Sequence, residues 1–218
     1  MVLLIDAAPV GPDYLPGHAH ADTLCFEMSL FGKRVFVNSG VSAYGKSFER
    51  LRQRGTAAHN TVVINGQNSS EVWGGFRVAR RAQPKIGKVQ DEGDHISIAA
   101  SHDGYRHLRG GNTHIRNWLV SSDHVILEDE IVGAFDNAEA RFHLHPDVTI
   151  DTYSVESDWM NLRFPQGNII RFSLKGGMFN IEPSSWHPGF GLSEANTCIV
   201  VTFMKSKIST KFQWTKMS

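Results

Sequence analysis

Cysteine is scarce in this 218-residue chain. Cys25 and Cys198 sit inside apolar runs and far apart, with no CxxC pair and no disulfide framework, so both read as buried thiols. An excess of one charge is also lacking: 22 Lys plus Arg balance 22 Asp plus Glu. That excludes an overall field recruiting nucleic acid or an anionic membrane, and leaves only local clusters to face a charged ligand. No apolar run reaches the roughly 18 residues of a membrane span. The opening Met1-Val-Leu-Leu-Ile5 is too short for a signal h-region and has no basic residues before it. The abrupt start reads as a segment cut from a longer protein, whose own terminus is where a signal would lie. No window of ten or more residues carries a 3.6-residue period, which argues against a helical fold.

What is present is β pattern. Leu24 to Leu30 alternates, Phe31-Gly-Lys33 turns, and Arg34 to Val37 returns as a partner strand. Thr61 to Ile64 is β-branched and runs into Asn65-Gly66, a strong turn signal. From Trp73 onward short strands follow one another: Phe76 to Arg81, Lys85 to Gln90, His95 to Ala100, His114 to Ser121, Val125 to Val132 and Glu139 to His145. Further strands are expected at Val148 to Tyr153, Asn161 to Phe164, Ile169 to Leu174, Phe179 to Glu182 and Cys198 to Met204. Many short strands at regular spacing predict an all-β fold, an antiparallel β-sandwich of two packed sheets. With 41% hydrophobic residues and no repeat or linker, the chain is expected to form one domain over residues 1–218.

The polar residues concentrate in two segments, Pro16-Gly-His-Ala-His-Ala-Asp22 and Arg54-Gly-Thr-Ala-Ala-His-Asn60. If the first is extended, His18, His20 and Asp22 share a face that continues as Leu24, Phe26 and Met28. Imidazole and carboxylate at the end of a core-like face must be hydrogen-bonded, bound to metal or open to a cleft. His20, His59 and an oxygen ligand suffice for zinc. A bare His-x-His is weak support, its plain alternative being polar residues at a strand end. Arg50, Arg52 and Arg54, if extended, present three guanidinium groups together to carboxylates or sulfates; a solvated loop with ion pairs to Glu49 is the competing reading. His143 and His145 read as structural, facing away from the core layer of Phe142 and Leu144, and Trp73, Trp118 and Trp186 as sandwich core or sugar-stacking groups.

Together with Val35-Phe-Val-Asn-Ser-Gly40 and Trp73-Gly-Gly-Phe-Arg77, these segments resemble the C-terminal domain of heparinase II/III-like polysaccharide lyases. The resemblance is specific over residues 16 to 82. Later, His114-Ile-Arg116, Trp118, Phe142-His-Leu-His-Pro146 and Pro188-Gly-Phe-Gly191 resemble the family's landmarks more loosely. It implies a sandwich that works beside an N-terminal helical domain of the same protein, acting on an anionic polysaccharide, in the periplasm or outside the cell. It implies that His18 lies in the active-site cleft as charge neutraliser or proton acceptor, that His20 and His59 are zinc ligands, and that Tyr44 matches a catalytic tyrosine that some alginate-type relatives place in the cleft; a packed loop aromatic is the competing reading of Tyr44. The remaining ligand is implied at position 38, where this chain has Asn38, an amide where the family usually has aspartate. Asp22 can in principle compensate for that amide; the competing reading is that it orients the neighbouring loop by accepting backbone hydrogen bonds.

The reaction implied is β-elimination at a uronic acid, with Arg50, Arg52 and Arg54 as candidate substrate-binding groups. The competing function is a non-catalytic carbohydrate-binding or structural sandwich, which needs an exposed aromatic platform. A zinc hydrolase acting alone needs an acidic base that the chain does not clearly offer.

Overall fold

The structure, a computed structural model, describes residues 1–12 and 14–215. Its first strands, β1 (Val2–Ile5), β2 (Phe26–Leu30) and β3 (Lys33–Phe36), pair antiparallel as a small sheet. A short helix α1 (Phe48–Arg54) follows, then β4 (Val62–Ile64) and a two-residue-per-strand hairpin, β5 (Val72–Trp73) and β6 (Arg77–Val78). The middle of the chain is a meander of β7 (Pro84–Asp91), β8 (His95–His102), β9 (Thr113–Ser121) and β10 (His124–Val132). Then come β11 (Ala138–His143), β12 (Thr149–Ser154), β13 (Trp159–Arg163), β14 (Ile169–Lys175), β15 (Gly177–Trp186), β16 (Glu194–Phe203) and β17 (Lys207–Trp214).

One layer is an eight-stranded sheet in the order β12-β13-β14-β17-β10-β9-β8-β7. The opposite layer is the four-stranded sheet β15-β16-β11-β4, continued by the small sheet. The two parts join because Val37 N donates to His143 O and His145 N donates to Val35 O, both at 2.9 Å. Alternation explains the arrangement: β17 buries Ile208, Thr210, Phe212 and Trp214, and β10 buries Val125, Leu127, Asp129 and Ile131. Between the layers, the rings of Phe26, Phe36, Phe142, Phe172 and Phe212 pack with centroids 4.6 to 6.2 Å apart. Truncating one such ring costs about 3–5 kcal/mol, so this cluster is the centre of the core. Cys25 and Cys198 are both free and buried, as expected.

The all-β antiparallel expectation holds, with four local corrections. Strand β17 was not anticipated, although it lies between β14 and β10 in the large sheet. The expected strand from Phe76 to Arg81 shrinks to Arg77–Val78. Residues 48–54, open to an extended or a solvated-loop reading, form α1, with the Ser47 side chain accepting from Arg50 N at 3.1 Å as N-cap. The shared face of His18, His20, Asp22 and Leu24 also fails beyond Asp22. Cys25 N closes a turn onto Asp22 O at 2.9 Å and Leu24 takes φ of 62°. That turn sends Leu24 into the core while Asp22 stays outside it.

Candidate active site and metal group

Four segments meet at one end of the small sheet. The first carries a 3-10 turn at Pro16–His18, then Ala19 and Ala21, which are buried and alternate with His18, His20 and Asp22. The second runs from α1 through a 3-10 turn, Thr56–Ala58, to His59 and Asn60. Backbone bonds dock them on each other: Ala21 N donates to Arg54 O at 2.9 Å, and Ser39 N donates to Ala58 O at 3.0 Å. Asn60 then ties three strands together. Its amide donates to Phe26 O and Val37 O at 2.8 and 3.1 Å, and its Oδ1 accepts from His143 N at 2.6 Å. An asparagine after His59 thereby fixes where that imidazole points.

His20, Asp22 and His59 offer one ligand atom each within 4.8 Å of one another. His59 is 2% exposed and neither of its ring nitrogens has a partner among the described residues. Burial drives its pKa down to about 4. Burial, with His59 beside it, drives His20 down to about 3 against the pull of Asp22. Asp22 moves the other way, its carboxyl raised by burial despite His20. Two neutral imidazoles and a carboxylate short of compensation form the donor set that a zinc ion satisfies, so the residues present fit the metal. Asp22, which the sequence leaves open between ligand and loop-orienting residue, supplies the oxygen donor of this group. Asn38 is engaged otherwise: its amide nitrogen approaches Cys25 Sγ at 3.7 Å and Glu27 Oε1 at 3.3 Å, leaving Oδ1 buried without a partner among the described residues.

His18 stands one alternation step away, exposed, and meets Tyr44. The Tyr44 hydroxyl lies 2.6 Å from His18 Nδ1 and 3.1 Å from Nε2. Tyr44 is 48% exposed and belongs to the segment between β3 and α1. Two close approaches hold its surroundings. Gly75, at φ of 79°, comes so near Gly45 O that an added Cβ would lie 2.2 Å from it. Gly40, at φ of 73°, similarly seats His187 O against the chain. These bring Phe76 and Phe190 to the Tyr44 ring at 5.9 and 6.0 Å. Neither phenylalanine was singled out from the sequence, although both lie in glycine-rich motifs noted there.

The three arginines do not act together. On helix α1, Arg50 and Arg54 share a face and are buried at 1% and 0% exposure, whereas Arg52 points elsewhere. Arg50 Nη2 donates to Gly17 O at 2.9 Å, and Arg54 Nε donates to Ala19 O at 2.9 Å, so both brace the histidine segment from beneath. Arg50 also sits 5.2 Å from the Tyr44 ring centroid. Arg52 forks onto Glu49 at 2.6 and 2.9 Å and reaches Ser185, and its bonds hold the Glu49 carboxyl down at about 2. The joint guanidinium display expected from an extended chain is therefore corrected, and the Glu49 ion pair is the one formed.

His143 was read as facing away from the core, yet it is 2% exposed and close to His59. It bonds Ala57 O at 3.0 Å and faces Ser184 Oγ at 3.3 Å, with burial lowering its pKa to about 3. Trp118 is core, whereas Trp73 is exposed under Arg77 and Trp186 packs on His145. No helix among the described residues is long and apolar enough to cross a membrane.

Among known proteins, the chain is 29% identical over 122 residues to a heparin-sulfate lyase of Bacteroides stercoris, spanning 54% of this chain and 16% of that protein. A solved structure of a heparinase III superposes with a TM-score of 0.78 at 19% identity, covering 99% of this chain and 33% of that one. The heparan sulfate lyase of Pedobacter heparinus superposes with a TM-score of 0.79 at 16% identity, over 99% of this chain and 33% of that one. The chain thus spans a third or less of each of these three proteins. Residues 1–215 match the family described as Heparinase II/III-like, C-terminal, and the chain belongs to that family.

Proposed function

We propose that this chain forms one wall of a lyase cleft in which a uronic-acid polysaccharide is cleaved by β-elimination, outside the cytoplasm. The observation that carries the reading is the 2.6 Å contact between the Tyr44 hydroxyl and His18 Nδ1 on an accessible face. Elimination requires removal of the proton at C5 of the uronate and protonation of the departing O4, and imidazole and phenol in hydrogen-bond contact can pass a proton between them. Tyr44 donates its proton to His18, its oxygen then accepts the C5 proton of the sugar, and the His18 imidazolium gives its proton to the departing O4, which returns both side chains to their starting state. Arg50, 5.2 Å from the ring centroid, stabilises negative charge that builds on that oxygen. Phe76 and Phe190 border the Tyr44 ring and offer apolar faces to sugar.

His20, Asp22 and His59 would hold a zinc ion, which supplies fixed positive charge beside the cleft and ties two segments of the wall together. Neutralising the uronate carboxylate needs a further group. Arg50 and Arg54 are too buried to form a clamp by themselves, so the partner wall, an N-terminal helical domain, is the source of that group. The experiment is to incubate the 218-residue chain and the full-length gene product with heparin, heparan sulfate and alginate, following far-ultraviolet absorbance of the unsaturated product. The reading expects product from the full-length protein on at least one polymer and none from the chain alone. A full-length protein that binds these polymers and cleaves none of them supports the non-catalytic alternative.

A further inference from the structure

We infer that the edge formed by Arg77, Arg80, Arg106 and Arg109 is a docking track for a polyanionic saccharide strand, beyond the sugar that meets His18 and Tyr44. This rests on the proposed lyase reading for the identity of the ligand, and on the contacts that join these exposed arginines to the Tyr44 face for its place.

Net charge is zero in this chain, yet its arginines are not uniformly neutralised. Arg52 pairs with Glu49, Arg116 with Asp129, Arg141 with Glu139 and Glu182, and Arg163 with Asp151, whereas Arg34 and Arg171 lie against the Trp186 and Trp159 rings. Among the described residues, no ion pair engages Arg77, Arg80, Arg106 or Arg109. Arg77, Arg106 and Arg109 are exposed. Arg77 lies 4.7 Å over the Trp73 ring, which orders the guanidinium without discharging it.

The track is continuous with the cleft. Phe76 neighbours both Tyr44 and Gly17, β6 packs on the 3-10 turn that ends at His18, and Arg54 Nη2 donates to Arg77 O at 3.3 Å. Three residues past Arg77, Arg80 fastens the loop that carries the other cations. Its Nη1 donates to Gly104 O at 2.7 Å, and its Nη2 meets His107 Nε2 at 3.2 Å. His107 Nδ1 in turn bonds Gly104 O at 3.1 Å. The loop is rigid where it is held, because a Cβ on Gly104 would lie 2.4 Å from Ser69 O. Strand β6, Arg77–Val78, separates Phe76 from Arg80, so the second group of cations lies past the residues that border Tyr44. The carboxylates nearby are Asp103, whose Oδ1 accepts from Gln83 N at 2.8 Å, and the exposed Glu71. Neither is paired with an arginine of the track.

A repeating polyanion matches such spaced, solvent-exposed guanidinium groups, since each contact releases a counterion from the polymer. The test titrates the 218-residue chain with a heparin disaccharide and a long heparin oligosaccharide over a series of salt concentrations, using duplex DNA as a counter-probe. The variant is Arg106→Ser with Arg109→Ser, two exposed side chains whose loss leaves the fold intact, as a melting curve checks. We expect the double variant to bind the long oligosaccharide roughly tenfold more weakly at low salt, with the salt slope reduced by about 1 to 2, and to bind the disaccharide as before. Unchanged affinity and slope for the long oligosaccharide overturn the track. Tighter binding of DNA than of saccharide through the same two arginines overturns the choice of ligand. Arginine-dependent saccharide binding in a full-length protein that eliminates nothing leaves the track standing and removes the lyase reading.

Discussion

Arg116 grips the Asp129 carboxylate through Nε at 2.7 Å and Nη2 at 3.0 Å, with both side chains fully buried between the layers. Its remaining nitrogen, Nη1, reaches Leu24 O at 2.8 Å and Asn60 O at 2.7 Å. One guanidinium thus joins the large sheet to the two segments that carry Asp22 and His59. The Asp129 carboxyl, held down to about 2 against its own burial by Arg116 and His114, stays charged throughout the working range. Breaking a buried pair from one side leaves a bare charge, at a cost of about 3–5 kcal/mol.

Arg116→Met is therefore expected to lose about 3 kcal/mol or more in urea unfolding. Arg116→Lys, which keeps the charge but lacks the fork, should recover only part of it. Stability within about 0.5 kcal/mol of the parent in Arg116→Met would show that the pair is dispensable.

Acid should destabilise the protein well before its carboxylates titrate. His143 is held down to about 3 chiefly by burial, and His102 and His114 are also lowered by burial. A histidine whose folded pKa lies below its unfolded value adds stability above about pH 6.5 that is lost as pH falls towards the folded value. Asp129 acts in the same direction below about pH 4, whereas Asp6 and Glu27, raised by burial, act oppositely. The melting temperature is expected to fall steadily from pH 7 to pH 4, and less steeply in His143→Gln. A flat profile over that window would contradict the neutral buried state of these rings.

Metal binding separates the candidate oxygen donors. Protein purified without chelator is expected to contain zinc, and chelation should lower the melting temperature, since a ligand at 100 times its Kd stabilises by about 2.7 kcal/mol. Asp22→Asn should weaken zinc binding at least roughly tenfold, and Asn38→Ala should change it little. The reverse order would move the oxygen donor from Asp22 to Asn38.

Much of the sandwich was legible because its strands alternate over a dry interface, as in Val125 to Val132, and because Asn65-Gly66 marks its turn plainly. Strand β17 carries the same alternation, from Ile208 to Trp214, and was readable though not read. Helix α1 was hidden for a physical reason. An Arg-x-Arg-x-Arg run suits a charged strand by period, and the sequence alone does not say that Arg50 and Arg54 find backbone carbonyls at Gly17 and Ala19. The histidines of the site were legible from their motifs. Alternation also placed Asp22 beside His20, whereas the turn that follows it was not legible, because it depends on Leu24, whose positive φ is unusual for a leucine.

The most direct measurement is the kcat/KM of the full-length gene product on its uronate polymer, compared among the parent, His18→Ala and Tyr44→Phe. The side chains are exposed, so folding should survive, and a melting curve for each variant checks it. With the hydroxyl and the imidazole acting as a proton-transfer couple, each substitution is expected to lower kcat by about 100-fold or more. The double variant should be little worse than either single one, because residues acting as a unit do not add. Full activity in either single variant would contradict the account.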